Sequence, residues 1–155
     1  MKLSVWLMPA ASDAPRLSEL IARCAHEFGA PPFPPHITLC SEPTETTASR
    51  GDLALELPLV LAFASVGYGT DYFHACYLKL RDDASVLALQ ARCAAALHGR
   101  VNEQYPPHLS LTYGDLTPQQ RDRVPLFVPS LPLLARFDRL ETWNTTGPVS
   151  NWQPL

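Results

Sequence analysis

The chain has 155 residues, of which 46% are hydrophobic, and its formal net charge is -3 at pH 7. This length and composition predict one compact domain, residues 1–155, and argue against a membrane protein. The net charge argues against a broad attraction to a nucleic-acid backbone or an anionic bilayer, and it is compatible with a small anionic substrate in a pocket.

Residues 1–8 form an apolar stretch that is too short for a signal peptide or a bilayer span. They predict a first strand, and we expect a cytoplasmic monomer with no membrane partner and no cofactor. The four cysteines show no C-x-x-C spacing and lie within apolar patterns, which favours buried free thiols over a zinc or redox site. They are Cys24, Cys40, Cys76 and Cys93.

Two amphipathic helices are predicted, each closed by a glycine. The first starts at Asp13, repeats apolar residues at three- and four-residue spacing, and stops at Gly29. The second opens at Asp82 and ends at Gly99, with His98 in its last turn, where a cation suits the helix dipole.

The remaining elements are predicted to be mostly strands. Residues 57–66 and 73–80 are apolar and suggest two strands joined by a hairpin-like connection, with His74 on either face of the second. Thr117 begins a short helix, residues 131–143 supply one or two further strands, and the tail closes on Trp152. This mixture favours an α+β domain of two similar lobes, with a groove between them.

The most informative feature is a duplicated motif: residues 34–39 read PPHITL and residues 106–111 read PPHLSL. In an extended strand, side chains two positions apart share a face. Each copy therefore presents a histidine beside a hydroxyl, namely His36 with Thr38 and His108 with Ser110, and buries its leucines on the other face. Two such pairs would surround an anion, which suits acid/base chemistry on a phosphate ester.

Other interpretations of the motif are weaker. One histidine on an apolar strand is usually structural, but a second copy after a second glycine-stopped helix favours function. A metal site would need ligands that neither copy supplies on the face of its histidine. A nucleophilic hydroxyl would need a sharp turn to expose it, and the sequence has no such glycine elbow here.

The two motifs resemble the paired H-x-T/S-hydrophobic motifs of the two-histidine (2H) phosphoesterase superfamily, and within it those of the plant and fungal cyclic phosphodiesterases. Residues 69–78, 107–116 and 143–152 are similar to that subfamily. The resemblance implies a bilobal α+β fold of antiparallel sheet and helices, with the histidine strands lining a central groove. It also implies a metal-independent enzyme that opens ADP-ribose 1'',2''-cyclic phosphate to ADP-ribose 1''-phosphate, or nucleoside 2',3'-cyclic phosphates to 2'-phosphates.

By the same resemblance, His36 and His108 would be the catalytic pair, and Thr38, Ser110 and Tyr113 would hold the phosphate. In a regular strand Tyr113 would face away from His108, so a bulge or a turn at Gly114 would be needed to aim it at the groove.

Tyr68, between two glycines, is a further candidate for contact with a nucleoside, although core packing is the commoner use of a strand tyrosine.

In-line attack on a cyclic phosphodiester needs one imidazole to deprotonate water and another to protonate the leaving oxygen. By the family pattern, His36 would protonate the leaving oxygen and His108 would activate the water, while the sequence alone supports either assignment.

The alternatives to this function are a binding module for nucleotides or RNA ends, and an RNA 2',5'-phosphodiesterase or ligase. An RNA enzyme should need a basic groove, and the arginines are scattered along the chain. They include Arg50, Arg81, Arg100 and Arg136.

Overall fold

A computed structural model describes residues 1–45 and 57–155, so Arg50 lies outside the described residues. The strands of this part of the chain are β1 Leu3–Pro9, β2 Ile37–Ser41, β3 Leu59–Gly67, β4 Cys76–Leu80, β5 His108–Thr112, β6 Leu133–Asn144 and β7 Gln153–Pro154. Its α-helices are α1 Ala14–Phe28, α2 Ala84–Leu97 and α3 Pro118–Arg123. Short 3-10 turns cover Tyr72–His74, Val124–Leu126 and Val149–Asn151. The predicted α+β class is confirmed.

All strand pairings are antiparallel, and the sheet order is β1-β2-β5-β4-β3-β6-β7. A further pairing between β1 and β6 closes the sheet into a barrel. The sequence repeat appears as two units, β1-α1-β2 and β4-α2-β5. Their histidine strands β2 and β5 pair only at Ile37 and Leu109, while β6 pairs with β1 of one unit and with β3 beside the other.

The core explains why these strands form. Ile37, Leu39, Leu109 and Leu111 are at most 1% exposed, so the apolar face of each motif is buried as the alternation predicts. Helix α1 packs against β5, and helix α2 packs against β2, so each helix covers the histidine strand of the other unit. The two units therefore share one core.

The glycine that was expected to end each helix does so only once. Gly29 adopts a left-handed conformation with φ 66° and caps α1, as predicted. In α2 the left-handed residue is His98, at φ 50°, so its placement in the last helical turn was wrong. Gly99 is needed for another reason, because a Cβ there would lie 2.8 Å from Cys40 Sγ.

The strand expected at residues 73–80 is shorter than predicted. Asp71 accepts hydrogen bonds from the backbone N–H groups of Phe73 and His74, which stabilises the 3-10 turn, and β4 starts only at Cys76. His74 therefore precedes the strand.

The one or two strands predicted for residues 131–143 form the single long strand β6. Within the described ranges, no helix has both the length and the apolar character that a membrane crossing requires.

Candidate active site

A cavity of about 300 Å³ lies where β2 and β5 meet. All four motif side chains line it: His36, Thr38, His108 and Ser110. Because the ladder is antiparallel with Ile37 opposite Leu109, His36 lies near Ser110, and Thr38 lies near His108. The structure thus brings both predicted pairs into one pocket, related by an approximate two-fold axis.

The two prolines before each histidine set the orientation of the ring. His36 Nδ1 donates to the Pro34 carbonyl oxygen at 2.7 Å, and His108 Nδ1 donates to the Pro106 carbonyl oxygen at the same distance. A residue before a proline is restricted to extended conformations, which fixes where its carbonyl points. Since Nδ1 carries the donated proton, Nε2 of each ring remains for chemistry in the cavity.

His36 lies in the apolar part of the pocket. Its ring stacks on Trp6 with centroids 3.6 Å apart, meets the edge of Phe33, and is only 5% exposed. Burial lowers the pKa of His36 to about 4, with a contribution from the nearby His108, against the opposing effect of the Pro34 hydrogen bond. In the empty pocket at neutral pH this imidazole is therefore uncharged.

His108 lies in a more polar part of the pocket. Its ring centroid is 4.5 Å from that of Tyr77 and 5.2 Å from that of His74. Burial lowers the pKa of His108 to about 4, and the neighbouring His74 lowers it further while the Pro106 hydrogen bond and Asp71 raise it. Without a bound ligand, both rings of the pair are thus uncharged at neutral pH.

The aromatic neighbours repeat the approximate two-fold symmetry. Trp6 pairs with Thr38 across β1 and β2, and Tyr77 pairs with Ser110 across β4 and β5. Phe33 meets His36 at 6.1 Å and 69°, and Tyr105 meets His108 at 6.4 Å and 69°. These four aromatic residues were missed in the sequence analysis. An alignment of the two repeats could have found them, because Phe33 and Tyr105 each lie three residues before their histidine, and the spacings of Trp6 and Tyr77 to their histidines differ by only one residue.

Tyr113 reaches the cavity because β5 ends at Thr112. The following Gly114 has φ 130°, and its N–H donates to the Tyr72 carbonyl oxygen at 2.8 Å. Tyr113 is buried, stacks on Phe33 with ring centroids 4.0 Å apart, and lines the cavity together with Ser110. Burial raises the pKa of Tyr113, so its hydroxyl keeps its proton as a donor. The turn that the prediction required is present.

Tyr68 has a different environment from the one the sequence suggested. It is not among the residues that line the cavity; its hydroxyl donates to the Arg121 carbonyl oxygen at 3.0 Å, and the Arg121 guanidinium lies over its ring. It also packs against the main core. The structure does not bring Tyr68 together with the motif residues, because its ring and its hydroxyl are both engaged elsewhere.

Several further residues of the pocket were not identified from the sequence. Gln90 of α2 is buried, lines the cavity, and donates from Nε2 to the Thr38 carbonyl oxygen at 3.0 Å. Trp152 and Arg100 also line the cavity, and Arg100 is paired with Glu42 at 3.3 Å. Among the described arginines, Arg100 is the only one in the cavity wall, so a row of arginines along the groove is not seen there.

The four cysteines are buried and free, as predicted. Burial raises the pKa of Cys24 and Cys93 to about 11, and that of Cys40 and Cys76 to about 12. Residues 1–45 and 57–155 hold no group of three or more histidine, cysteine, aspartate or glutamate side chains arranged for a metal ion.

The chain is similar in sequence to two cyclic phosphodiesterases. The chain is 28% identical over 124 residues to the cyclic phosphodiesterase of Arabidopsis thaliana, which covers 76% of this chain and 68% of that protein. It is 24% identical over 150 residues to the 2',3'-cyclic-nucleotide 3'-phosphodiesterase of Kluyveromyces lactis, with 81% and 70% covered.

Two solved structures share the fold. LigT of E. coli, complexed with NADP+, has a TM-score of 0.60 at 14% identity and covers 99% of this chain and 94% of its own. TT0787 of Thermus thermophilus has a TM-score of 0.58 at 17% identity, with 100% and 95% covered. The family described as "Cyclic phosphodiesterase-like protein" matches residues 1–155. The chain therefore belongs to the cyclic phosphodiesterase-like family of two-histidine phosphoesterases and is an enzyme of this kind.

Proposed function

We propose that residues 1–155 act as one catalytic domain that hydrolyses the cyclic phosphodiester of a small nucleotide, with His36 and His108 as the acid/base pair. The observation that carries this proposal is that both rings are fixed by the same 2.7 Å Nδ1 hydrogen bond and face one pocket. Each ring then offers Nε2, one to take a proton from water and one to give a proton to the leaving oxygen. Each transfer is worth about a hundredfold to ten-thousandfold in rate.

For the reaction, the two rings must together carry one proton more than two neutral imidazoles, so that one ring is protonated and the other is neutral. Burial holds both rings neutral in the empty pocket, since the pKa of each is about 4. A phosphate anion beside both rings favours the charged form of one of them, so substrate binding brings in the proton that the reaction uses. The protonated acid is therefore formed in the substrate complex and not in the free enzyme.

The two environments suggest which ring does which task. His108 is only partly buried and lies beside polar side chains, whereas His36 is enclosed by Trp6 and Phe33. Water reaches the less enclosed ring more readily. We therefore assign water activation to His108 and protonation of the leaving oxygen to His36.

Thr38, Ser110 and Tyr113 would bind the non-bridging oxygens of the phosphate. Ser110 and Tyr113 are both buried in the cavity wall, so the packing around them holds their hydroxyls in place before the substrate arrives. Such preorganised donors stabilise charge that redistributes in the transition state. No metal ion is required for this scheme.

The substrates of this proposal are ADP-ribose 1'',2''-cyclic phosphate and nucleoside 2',3'-cyclic phosphates. A volume of about 300 Å³ is at the lower end of small-molecule pockets, which suits one nucleotide better than a long RNA strand. The names of the Arabidopsis and Kluyveromyces relatives support cyclic phosphodiesters as the substrate class.

The test is phosphorus NMR of both substrates, incubated with the enzyme in EDTA. We expect ring opening to ADP-ribose 1''-phosphate or to the 2'-phosphate, and we expect His36→Ala and His108→Ala to lose it. Loss of wild-type activity on chelation would refute the metal-free scheme. A folded wild-type protein that opens neither ring would refute the proposed activity and favour a nucleotide-binding module.

A further inference from the structure

We propose that His74 is a third histidine of the site and binds a phosphate oxygen of the substrate through Nε2. This inference rests on the proposed function and extends it, because the paired motifs do not contain this residue. His74 lines the cavity, and its ring centroid is 5.2 Å from that of His108.

The orientation of His74 is fixed from two sides. Its Nδ1 donates to Asp71 Oδ1 at 2.7 Å, and its ring stacks on Tyr105 with centroids 3.8 Å apart and planes 9° apart. Nε2 is therefore the free nitrogen, and it has no hydrogen-bond partner among residues 1–45 and 57–155. The side chain is 16% exposed, so the ring is held in the wall of the pocket.

The fold itself does not demand a histidine there. The approximate two-fold axis relates Tyr77 to Trp6, and the residue three positions before Trp6 is Leu3, which also lines the cavity. In the other half of the site, the residue at this sequence offset is thus an apolar residue of β1 and not a histidine. Asp71 caps the 3-10 turn through backbone N–H groups of Phe73 and His74, so its structural task needs no imidazole. The pair of His74 and Asp71 is therefore present in one unit of the repeat, and the other unit has Leu3 at the offset of His74.

The chemistry of the added pair suits an anion. Since Nδ1 already donates to the Asp71 carboxylate, an imidazole that also donates to a phosphate oxygen through Nε2 carries both ring protons and is positively charged. The resulting positive charge would lie between the phosphate and the Asp71 carboxylate, 2.7 Å away on the other side of the ring. The groups that face His74 are Asp71 on its own turn, Tyr105 on the loop before β5, and His108 on β5. Of these three groups, only the Asp71 carboxylate is negatively charged, and it stabilises a positive charge on the His74 ring.

The experiment compares His74→Phe, which keeps a ring to stack on Tyr105, with His74→Gln. His26→Gln is the matched control, since His26 is exposed on α1 and does not line the cavity. We expect His74→Phe to raise KM about tenfold to a hundredfold with little change in kcat, the loss typical of a hydrogen bond to a charged group. We expect His26→Gln to leave KM unchanged.

The two substrates identify which phosphate His74 binds. An equal rise in KM for ADP-ribose 1'',2''-cyclic phosphate and a nucleoside 2',3'-cyclic phosphate assigns His74 to the reacting phosphate. A rise for the ADP-ribose compound alone assigns it to the diphosphate. A KM within twofold of wild type for both compounds, or a fall in kcat alone, would overturn the inference.

A binding measurement keeps this test separate from that of the proposed function. Calorimetric titration with adenosine 2'-monophosphate needs no turnover, so it applies even if neither cyclic compound is opened. We expect His74→Phe to weaken this binding about tenfold or more if the kinetics assign His74 to the reacting phosphate, and to weaken the binding of ADP-ribose by the same factor if they assign it to the diphosphate. Equal affinity of the variant and the wild type for both ligands would refute the role. If His74→Phe does not fold, His74→Gln decides the question with the same criteria.

Discussion

Replacement of His36 by phenylalanine should make the protein less sensitive to acid. A buried base whose folded pKa is lowered from 6.5 to about 4 binds fewer protons in the folded state than in the unfolded state between these values. The free energy of unfolding is therefore not reduced by His36 above about pH 6.5, and it decreases as the pH falls from 6.5 towards 4. At roughly 1.4 kcal/mol for each pKa unit, His36 costs the wild type about 3 kcal/mol of unfolding free energy near pH 4.

His36→Phe keeps an aromatic ring to stack on Trp6 and removes the titrating nitrogens, but it leaves the Pro34 carbonyl without its donor. The absolute stability at pH 7 is thus not the informative quantity. The assay is urea unfolding of both proteins at pH 7 and pH 4, in buffers free of phosphate and sulfate, since these anions would occupy the site.

We expect the wild type to lose about 3 kcal/mol more than His36→Phe between the two pH values. His108 is present in both proteins, so its own contribution cancels in the comparison. Equal losses in the two proteins would show that burial does not hold the His36 ring neutral, and the proposed uptake of a proton with the substrate would fail with it.

Three further outcomes are expected. Thr38→Ala and Ser110→Ala should each lower kcat/KM about tenfold to a hundredfold by removing a donor to a charged oxygen, and unchanged steady-state kinetics would contradict the assigned role. Gly99→Ala should destabilise the fold by about 1–3 kcal/mol because its Cβ would lie 2.8 Å from Cys40 Sγ, and thermal unfolding should show a lower Tm; an unchanged Tm would contradict a close contact at this position. The buried thiols should react with a disulfide reagent at pH 8 only after urea is added, and rapid reaction of Cys24 in the native state would mean that it is accessible.

Much of the fold could be predicted from local patterns. The alternation in each motif correctly placed the leucines of β2 and β5 in the core, and the helical spacing located both α1 and α2. These predictions succeed because a strand or helix with one buried face has apolar residues at regular intervals, every second residue in a strand and every three or four residues in a helix. Helix ends were less predictable: Gly99 was taken for a helix stop, but its close contact with β2 arises only once the chain has folded.

The site was partly predictable for the same reason. Both motifs could be identified because the chain repeats them, and the structure brings them together across β2 and β5. Residues without a repeated signature were missed: Gln90 lies inside the second predicted helix and belongs to no motif, and His74 was expected in a strand. Their roles depend on which elements pack together in the fold; Gln90, for example, reaches the site because α2 packs against β2, the histidine strand of the other half. Such contacts between distant segments leave no pattern in a single sequence.

The proline-proline-histidine segment has a consequence for how such a site can arise. In many enzymes the group that orients a catalytic histidine comes from a distant part of the chain, so the pair is assembled only by the complete fold. Here the orienting carbonyl lies two residues before the ring, on the same short segment. A second copy of that segment, placed at the start of another extended strand, therefore brings its own carbonyl to orient its histidine ring. Duplication of one half-site is thus enough to supply an acid and its base together.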